Sequence, residues 1–343
     1  MPTDNRLPLN RIERENRPDG SILLHNRAPL PDPLPDILDR FDHWTALDSN
    51  ATFISERAND GIRTTSYGEI DGRSDALAHD LAARGLAKGD AVAIIDGAGV
   101  LHAALKLACL KAGLVHVPLS PLLLASEHGR SRLAGLLTAA EPCLTVVPAQ
   151  TLPEELVALC GTVTTPGELS EVAAAQTPFE RPAADPSDPA AIYFTSGSTG
   201  DPKGVSITRR MIASCQSAYG VHWPFLAAHR PALIDWLPWH HVFGGLDNFH
   251  KMIWYGGAYH VELPPGPDNM DALAARIRDV RPTIHINVPY GIDLLLDHLA
   301  DDASTRAALF ERLDLIFFAG AGMGARTWRR LQDAVTAGPH GPG

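Results

Sequence analysis

The sequence predicts an α/β protein made of two α/β subdomains, each a mostly parallel sheet covered by helices. Three observations carry that expectation. Short β-branched runs alternate with helix-length stretches, the rhythm of strand–helix–strand units. The rhythm is interrupted by a stretch rich in Pro, Thr, Ala and Glu over residues 149–189, and then restarts. The chain has 343 residues, enough for about two compact units with real cores.

The elements follow in order. Pro29, Pro31, Pro33 and Pro35 fall in one run, so residues 1–50 read as an extended, proline-rich lead-in rather than a helix. Regular structure is expected from Thr52. TFISE, a turn at Asp60-Gly61 and IRTTSY form a hairpin. Ser66 followed three residues later by Glu69 is a capping box. It opens a helix with Ile70, Leu77 and Leu81 on one face, stopping near Arg84 with Gly85 as its C′ residue. AVAII, LVHVPL and CLTVV are strands, separated by the helical stretches VLHAALKLACLKAG and 126–140. Beyond the linker, AAIYFT is a strand, and SITRRMIASCQSAYG is a helix reached through a Gly-rich loop. ALIDWL, AYHVEL, TIHINV and LIFFAG are further strands, with helices at 270–280 and 290–299. Residues 51–185 then form the first subdomain and 186–343 the second.

Composition narrows the function classes. With 29 basic and 40 acidic side chains the formal charge is −11, and no Lys/Arg block is present, which argues against nucleic-acid binding by phosphate neutralisation. Hydrophobic residues at 45% and charged residues at 20% exclude global disorder. The most apolar stretch, 91–119, is broken by Asp96, Lys106 and Lys111, so no membrane span is expected. The first twenty residues contain no apolar signal region. Cys109, Cys143, Cys160 and Cys215 include no C-x-x-C pair, so neither a zinc knuckle nor a redox dithiol is expected. They read as small core residues in a reducing cytoplasm.

The chemistry concentrates in IYFTSGSTGDPKGV, residues 192–205. Two Thr, two Ser, three Gly and one Lys lie between an apolar strand and a helical stretch. Glycines let backbone N–H groups face an anion, the hydroxyls add donors, and Lys203 adds a charge that can follow a moving phosphate. A flexible Ser/Gly linker would not be bracketed by AIYF and a helix. The kinase-type loop G-x-x-x-x-G-K-[ST] fails on spacing. Counting from Gly197 puts Pro202 at the second Gly and Gly204 at the Ser/Thr.

TSGSTGDPKG resembles the signature of the AMP-forming, adenylate-forming enzymes: acyl-CoA synthetases, peptide-synthetase adenylation domains and luciferases. Thr195, Ser196, Gly197, Ser198, Thr199, Gly200, Pro202 and Lys203 all fit its pattern. LAKGD before AVAII, LVHVPLSP, WLPWHHVFGG and FAGAG resemble further segments of that superfamily, and the resemblance covers residues 52–334. WLPWHHVFGG, NVPYG and LIFFAGAG together look most like feruloyl-CoA synthases, which activate hydroxycinnamic acids with ATP and CoA.

The resemblance implies a two-step reaction. A carboxylate attacks the α-phosphorus of ATP, and the thiol of CoA then attacks the acyl-adenylate. It implies that Thr195, Ser196, Gly197, Ser198, Thr199, Gly200 and Lys203 serve the phosphates, with Mg²⁺ bridging them. His241 would lie near the carboxylate and α-phosphate, and the backbone of Gly320, Ala321 and Gly322 between adenine and acyl group. Phe243, Trp236 and Trp239 are candidate walls for an aryl acid, the two tryptophans being equally suited to core packing. His240 and His241, as neighbours, point different ways, so no shared metal is expected. The partners implied are a small carboxylic acid, ATP and CoA. The family's Tyr-Gly-x-Thr-Glu has no counterpart, because Tyr67-Gly68, Tyr219-Gly220, Tyr255-Gly256 and Tyr290-Gly291 are followed by other residues. Thr-Gly-Asp occurs only inside the loop, at residues 199–201, and the family's small C-terminal domain is expected to be absent. The expectation is therefore an incomplete N-terminal domain of an acyl-CoA synthetase-like fold, inactive as a truncated chain. The alternative is a non-catalytic nucleotide- or acyl-binding remnant.

Overall fold

The computed structural model describes residues 12–26, 29–32, 34–59, 61–148, 152–170, 177–196, 202–266 and 268–337. In chain order the strands are β1 (Ile12–Asn16), β2 (Ile22–Asn26), β3 (Thr52–Ala58), β4 (Gly61–Ser66), β5 (Ala91–Ile95), β6 (Val115–Leu119) and β7 (Leu144–Val146). They continue with β8 (Thr162–Thr164), β9 (Pro189–Ser196), β10 (Pro202–Thr208), β11 (Ala232–Asp235), β12 (Ala258–Val261), β13 (Ile284–Asn287) and β14 (Leu315–Phe318). One sheet runs β10-β9-β6-β5-β7-β8 and the other β14-β13-β11-β12-β3-β4, while β1 and β2 make a separate hairpin. Each large sheet is parallel except for one antiparallel edge strand, β10 on β9 and β4 on β3. This is the α/β architecture expected from the strand–helix rhythm. The break expected at 185/186 does not separate the sheets, however. β9 and β10 join the strands that precede them, and β3 and β4 join those that follow.

Burial explains the composition of the central strands. Every residue of β5 and β6 is buried, which is why they read as continuous apolar runs rather than alternating ones. The helix Val100–Ala112 touches β6 of one sheet and β3 of the other and is buried along almost its whole length. The capping box at Ser66 and Glu69 is present, opening the helix Tyr67–Ala83. Gly85, at φ +88°, follows its last turn.

Two expectations are corrected. Residues 1–50 are not simply an extended lead-in. Among those described they hold the β1–β2 hairpin and the helix Ile37–Leu47. The proline run stops at Pro35, and Asp36 caps the helix through a box closed by Asp39. Ile37, Leu38 and Phe41 then enter the main core, and the Arg209 guanidinium grips both Asp36 oxygens at 2.7 Å. The second correction concerns the Gly-rich loop, which leads into a strand and not directly into a helix. The β-branched Val205, Ile207 and Thr208 pair with β9, and the helix Arg209–His222 begins after Thr208, whose side chain accepts the Met211 N–H. The loop is therefore the connection of a hairpin.

Candidate active site

The β9–β10 hairpin places Thr195 opposite Lys203, both exposed. Ser196 closes β9 against Pro202. Gly197, Ser198, Thr199, Gly200 and Asp201 lie outside the described residues. The helix Arg209–His222 then runs back from this hairpin. Across from it, after β11, a turn carries Trp236 to His241 and leads into a π-helical segment, Val242–Asn248, continued by the helix Phe249–Tyr255.

The two glycines of WHHVFGG have a packing reason. A Cβ on Gly245 would fall on the Trp239 carbonyl, and one on Gly244 would sit 2.6 Å from the Leu237 carbonyl. The segment thus folds back tightly onto its own turn, with the His241 N–H donating to the Pro238 carbonyl at 3.1 Å and the Gly245 N–H to the His241 carbonyl at 2.9 Å. The wide π turn is held there from the other subdomain as well. The buried Lys106, on the helix between the sheets, donates to the Gly245 carbonyl. Short π segments inside helices often accompany functional sites.

His241 is exposed, and its ring centre lies 4.5 Å from that of the half-buried His240. Burial, with the neighbouring His241, pushes the His240 pKa down to about 4. Phe243 lines a cavity of about 510 Å³ between β10, the helix Arg209–His222, the π segment and the end of β14. Its other walls include Ile207, Ile212, Leu246, Phe317, Ala319 and Gly320. Gly320 has φ +84°, which turns the chain sharply out of β14. Ala321 and Gly322 follow it, exposed. The cavity is therefore assembled from both sheets, and the exposed Val242, next in the chain to His241, is part of its wall.

The sequence-predicted residues thus separate. Phe243 and Gly320 meet at the cavity. Thr195 and Lys203 face each other on the hairpin. Trp239 is 2% exposed, donates its indole N–H to the Tyr259 hydroxyl at 2.9 Å and packs edge-on against Phe249, so it is a core residue. Trp236 is half-buried, its indole N–H without a partner among the described residues, and it is not part of the cavity wall. Of the cysteines, Cys109 and Cys160 are buried, but Cys143 and Cys215 are exposed, and Cys215 lines the cavity. Sequence reading missed the helix face Met211, Ile212, Cys215, Gln216 and Tyr219, together with Asp247. The i, i+1, i+4, i+5, i+8 spacing of that face was the available signal. Among the described residues no group of three His, Cys, Asp or Glu could hold a metal ion, and no helix is long and apolar enough to cross a membrane.

A family model described as AMP-binding enzyme matches residues 41–340, most of the chain. The chain belongs to that family. Among curated relatives, the probable non-canonical nonribosomal peptide synthetase CymA of Salinispora arenicola is 30% identical over 222 residues, 61% of this chain and 3% of that protein. The fatty acid–[acyl-carrier-protein] ligase ScoC of Streptomyces coeruleorubidus is 29% identical over 245 residues, 68% of this chain and 45% of that protein. The chain spans less than half the length of these two relatives. ATP-bound MatB from Rhodopseudomonas palustris superposes with a TM-score of 0.71 at 25% identity, covering 87% of this chain and 58% of that one. The N-terminal subdomain of Klebsiella oxytoca NpsA, in complex with 3-hydroxybenzoyl-AMSN, superposes with a TM-score of 0.70 at 24% identity, covering 89% and 70%. The fold is that of the N-terminal subdomain of adenylate-forming enzymes.

Proposed function

We propose that this chain forms the nucleotide- and acid-binding part of a ligase that adenylates an aryl acid of the hydroxycinnamic class and passes it to CoA. The observation that carries the reading is the 510 Å³ cavity. Its size suits a small aryl acid, and Phe243 and Phe317, edge to face at 5.9 Å, give it aromatic walls. His241 stands at the turn that begins the cavity's π-helical wall, where an incoming carboxylate would meet the α-phosphate. Lys203 and the 195–203 loop would hold the phosphates, offsetting the repulsion between two anions as the bond forms. Gly320, Ala321 and Gly322 would pass between adenine and acyl group, where the turn out of β14 brings backbone rather than side chains. Mg²⁺ would be carried by the ATP phosphates. The motif WLPWHHVFGG supports the choice of a hydroxycinnamic acid and of CoA as acceptor.

The test, on this chain extended by a family C-terminal half, is acid-dependent exchange of labelled pyrophosphate into ATP across aryl, cinnamic and fatty acids, followed by discharge to CoA or to a carrier-protein thiol. Exchange that peaks with cinnamic acids and discharge to CoA are expected. A preference for fatty acids, or discharge only to a carrier protein, would contradict the reading.

A further inference from the structure

The cavity is apolar on most of its wall and polar along one strip. That strip is Cys215, Gln216 and Tyr219 from the helix Arg209–His222, and Asp247 from the π segment. Val242, 50% exposed, marks the solvent end of the segment. Asp247 lies further along it, and its side chain keeps 16% exposure, while the side chain of its partner Lys251 has none.

The hydrogen bonds of Asp247 are uneven. Its Oδ2 takes the Lys251 ammonium at 2.7 Å and the Tyr219 hydroxyl at 3.3 Å. Lys251 also lies over the Tyr219 ring, 4.1 Å from its centre. Among the described residues Oδ1 has only the Gln216 amide at 3.4 Å and the Cys215 thiol at 4.0 Å. Gln216 is 1% exposed, and its own Oε1 has no partner among the described residues. The unmet capacity of the cluster is therefore for a donor.

The chemistry of that donor follows from charge. A plain hydrocarbon would strip water from the carboxylate and return nothing. An ammonium group would be drawn to Asp247 but repelled by Lys251, already paired with the same carboxylate, in a cavity where charges are weakly screened. A hydroxyl donates one hydrogen bond and adds no charge.

We propose that Asp247, held by Lys251 and Tyr219, reads the acid's far end, and that the acid selected carries a hydroxyl group remote from its carboxylate. This rests on the cavity being the acid site. Sites built to bond a hydroxyl reject the analogue lacking it more strongly than apolar pockets reject an added one.

The experiment measures binding of non-hydrolysable acyl-adenylate analogues to the full chain. It uses benzoyl and cinnamoyl compounds with no ring substituent, a meta or para hydroxyl, or a para aminomethyl group. One hydroxylated isomer should bind about 10-fold or more tighter than its plain counterpart. In the paired variant Asp247→Leu/Lys251→Met that preference should vanish, with plain analogues bound as well as before. Removing both partners together avoids a lone buried charge, so this variant should keep its melting temperature. Tyr219→Phe, which removes one donor that orients Asp247, should narrow the preference and serves where the paired variant does not fold. Equal binding of plain and hydroxylated analogues, a preference for the amine, or a hydroxyl preference that survives in the paired variant would overturn the proposal while leaving the cavity an acid site. Failure of every analogue to bind would overturn the acid-site reading itself, and this proposal with it.

Discussion

Lys106→Met tests how the site's π segment is held. Lys106 is 2% exposed and rests over the Phe249 ring at 4.3 Å. Its donors reach the Gly245 carbonyl and, at 3.4 Å, the Tyr193 hydroxyl. Burial holds its pKa well below the ordinary lysine value. The unfolded chain therefore binds a proton that the native state does not, over the window between the depressed native pKa and the unfolded pKa of about 10.4. In that window stability rises with pH, by up to about 1.4 kcal/mol per unit from this residue alone. Methionine keeps the length of the side chain and removes the proton, so this slope should disappear. Against that gain, the Gly245 carbonyl loses its donor, a cost of about 1–3 kcal/mol. Two pH units of the lost slope, about 2.7 kcal/mol, are of the same size. The methionine variant should thus be less stable than the parent near pH 10 and draw level or pass it as pH falls. Denaturant unfolding followed by tryptophan fluorescence between pH 7.5 and 10 reads both curves. Parallel curves, with the variant lower throughout, would mean that the buried amine is charged and would refute the reasoning.

Gly245→Ala should cost about 1–3 kcal/mol or more, because its Cβ falls on the Trp239 carbonyl and backbone must move. It should weaken acyl-adenylate binding as well, since Phe243 and Asp247 ride on the same segment, and an unchanged melting temperature and affinity would contradict this. Acid should destabilise the fold. Burial holds His102 at about 3 and His285 at about 4, and His116 and His250 well below the usual imidazole range. Their folded pKa values lie under the unfolded value of about 6.5, so the stability is present above that pH and is lost as pH falls below it, each group contributing up to about 1.4 kcal/mol per unit. A melting temperature flat from pH 7 to 5 would argue against neutral histidines. In the chain extended by a family C-terminal half, Lys203→Ala should slow acid-dependent pyrophosphate exchange by about 10-fold or more while leaving acid affinity little changed. Loss confined to acid affinity, with exchange at saturation intact, would contradict its assignment to phosphate.

The alternation of strands and helices was legible because parallel strands buried on both faces leave continuous β-branched runs, as in AVAII and LVHVPL. The capping box at Ser66 and Glu69 was equally local. What the sequence concealed was non-local. Nothing in TFISE announces that β3 will pair with β12, two hundred residues on. The helix Ile37–Leu47 was masked by the prolines before it, although its own capping box, Asp36 with Asp39, lay in plain view. The Gly-rich segment before β10 and the histidine turn stood out in the sequence through their residue types, and the structure places Thr195 and Lys203 on a hairpin and His241 on a turn. Trp239 could not be assigned without knowing that Tyr259 and Phe249 close around it. Asp247 escaped because a single acid in an apolar run shows its meaning only when Tyr219 and Lys251 are brought to it.

The central claim is that the cavity between the helix Arg209–His222 and the end of β14 receives the acyl group of an adenylate. A crystal structure of the chain with a non-hydrolysable hydroxycinnamoyl-adenylate analogue tests it most directly. The aryl group should lie against Phe243 and Phe317, with the adenosine on the far side of Ala319–Gly320 and the phosphate position facing Lys203. Density for the analogue elsewhere on the chain, with this cavity unoccupied, would contradict the account.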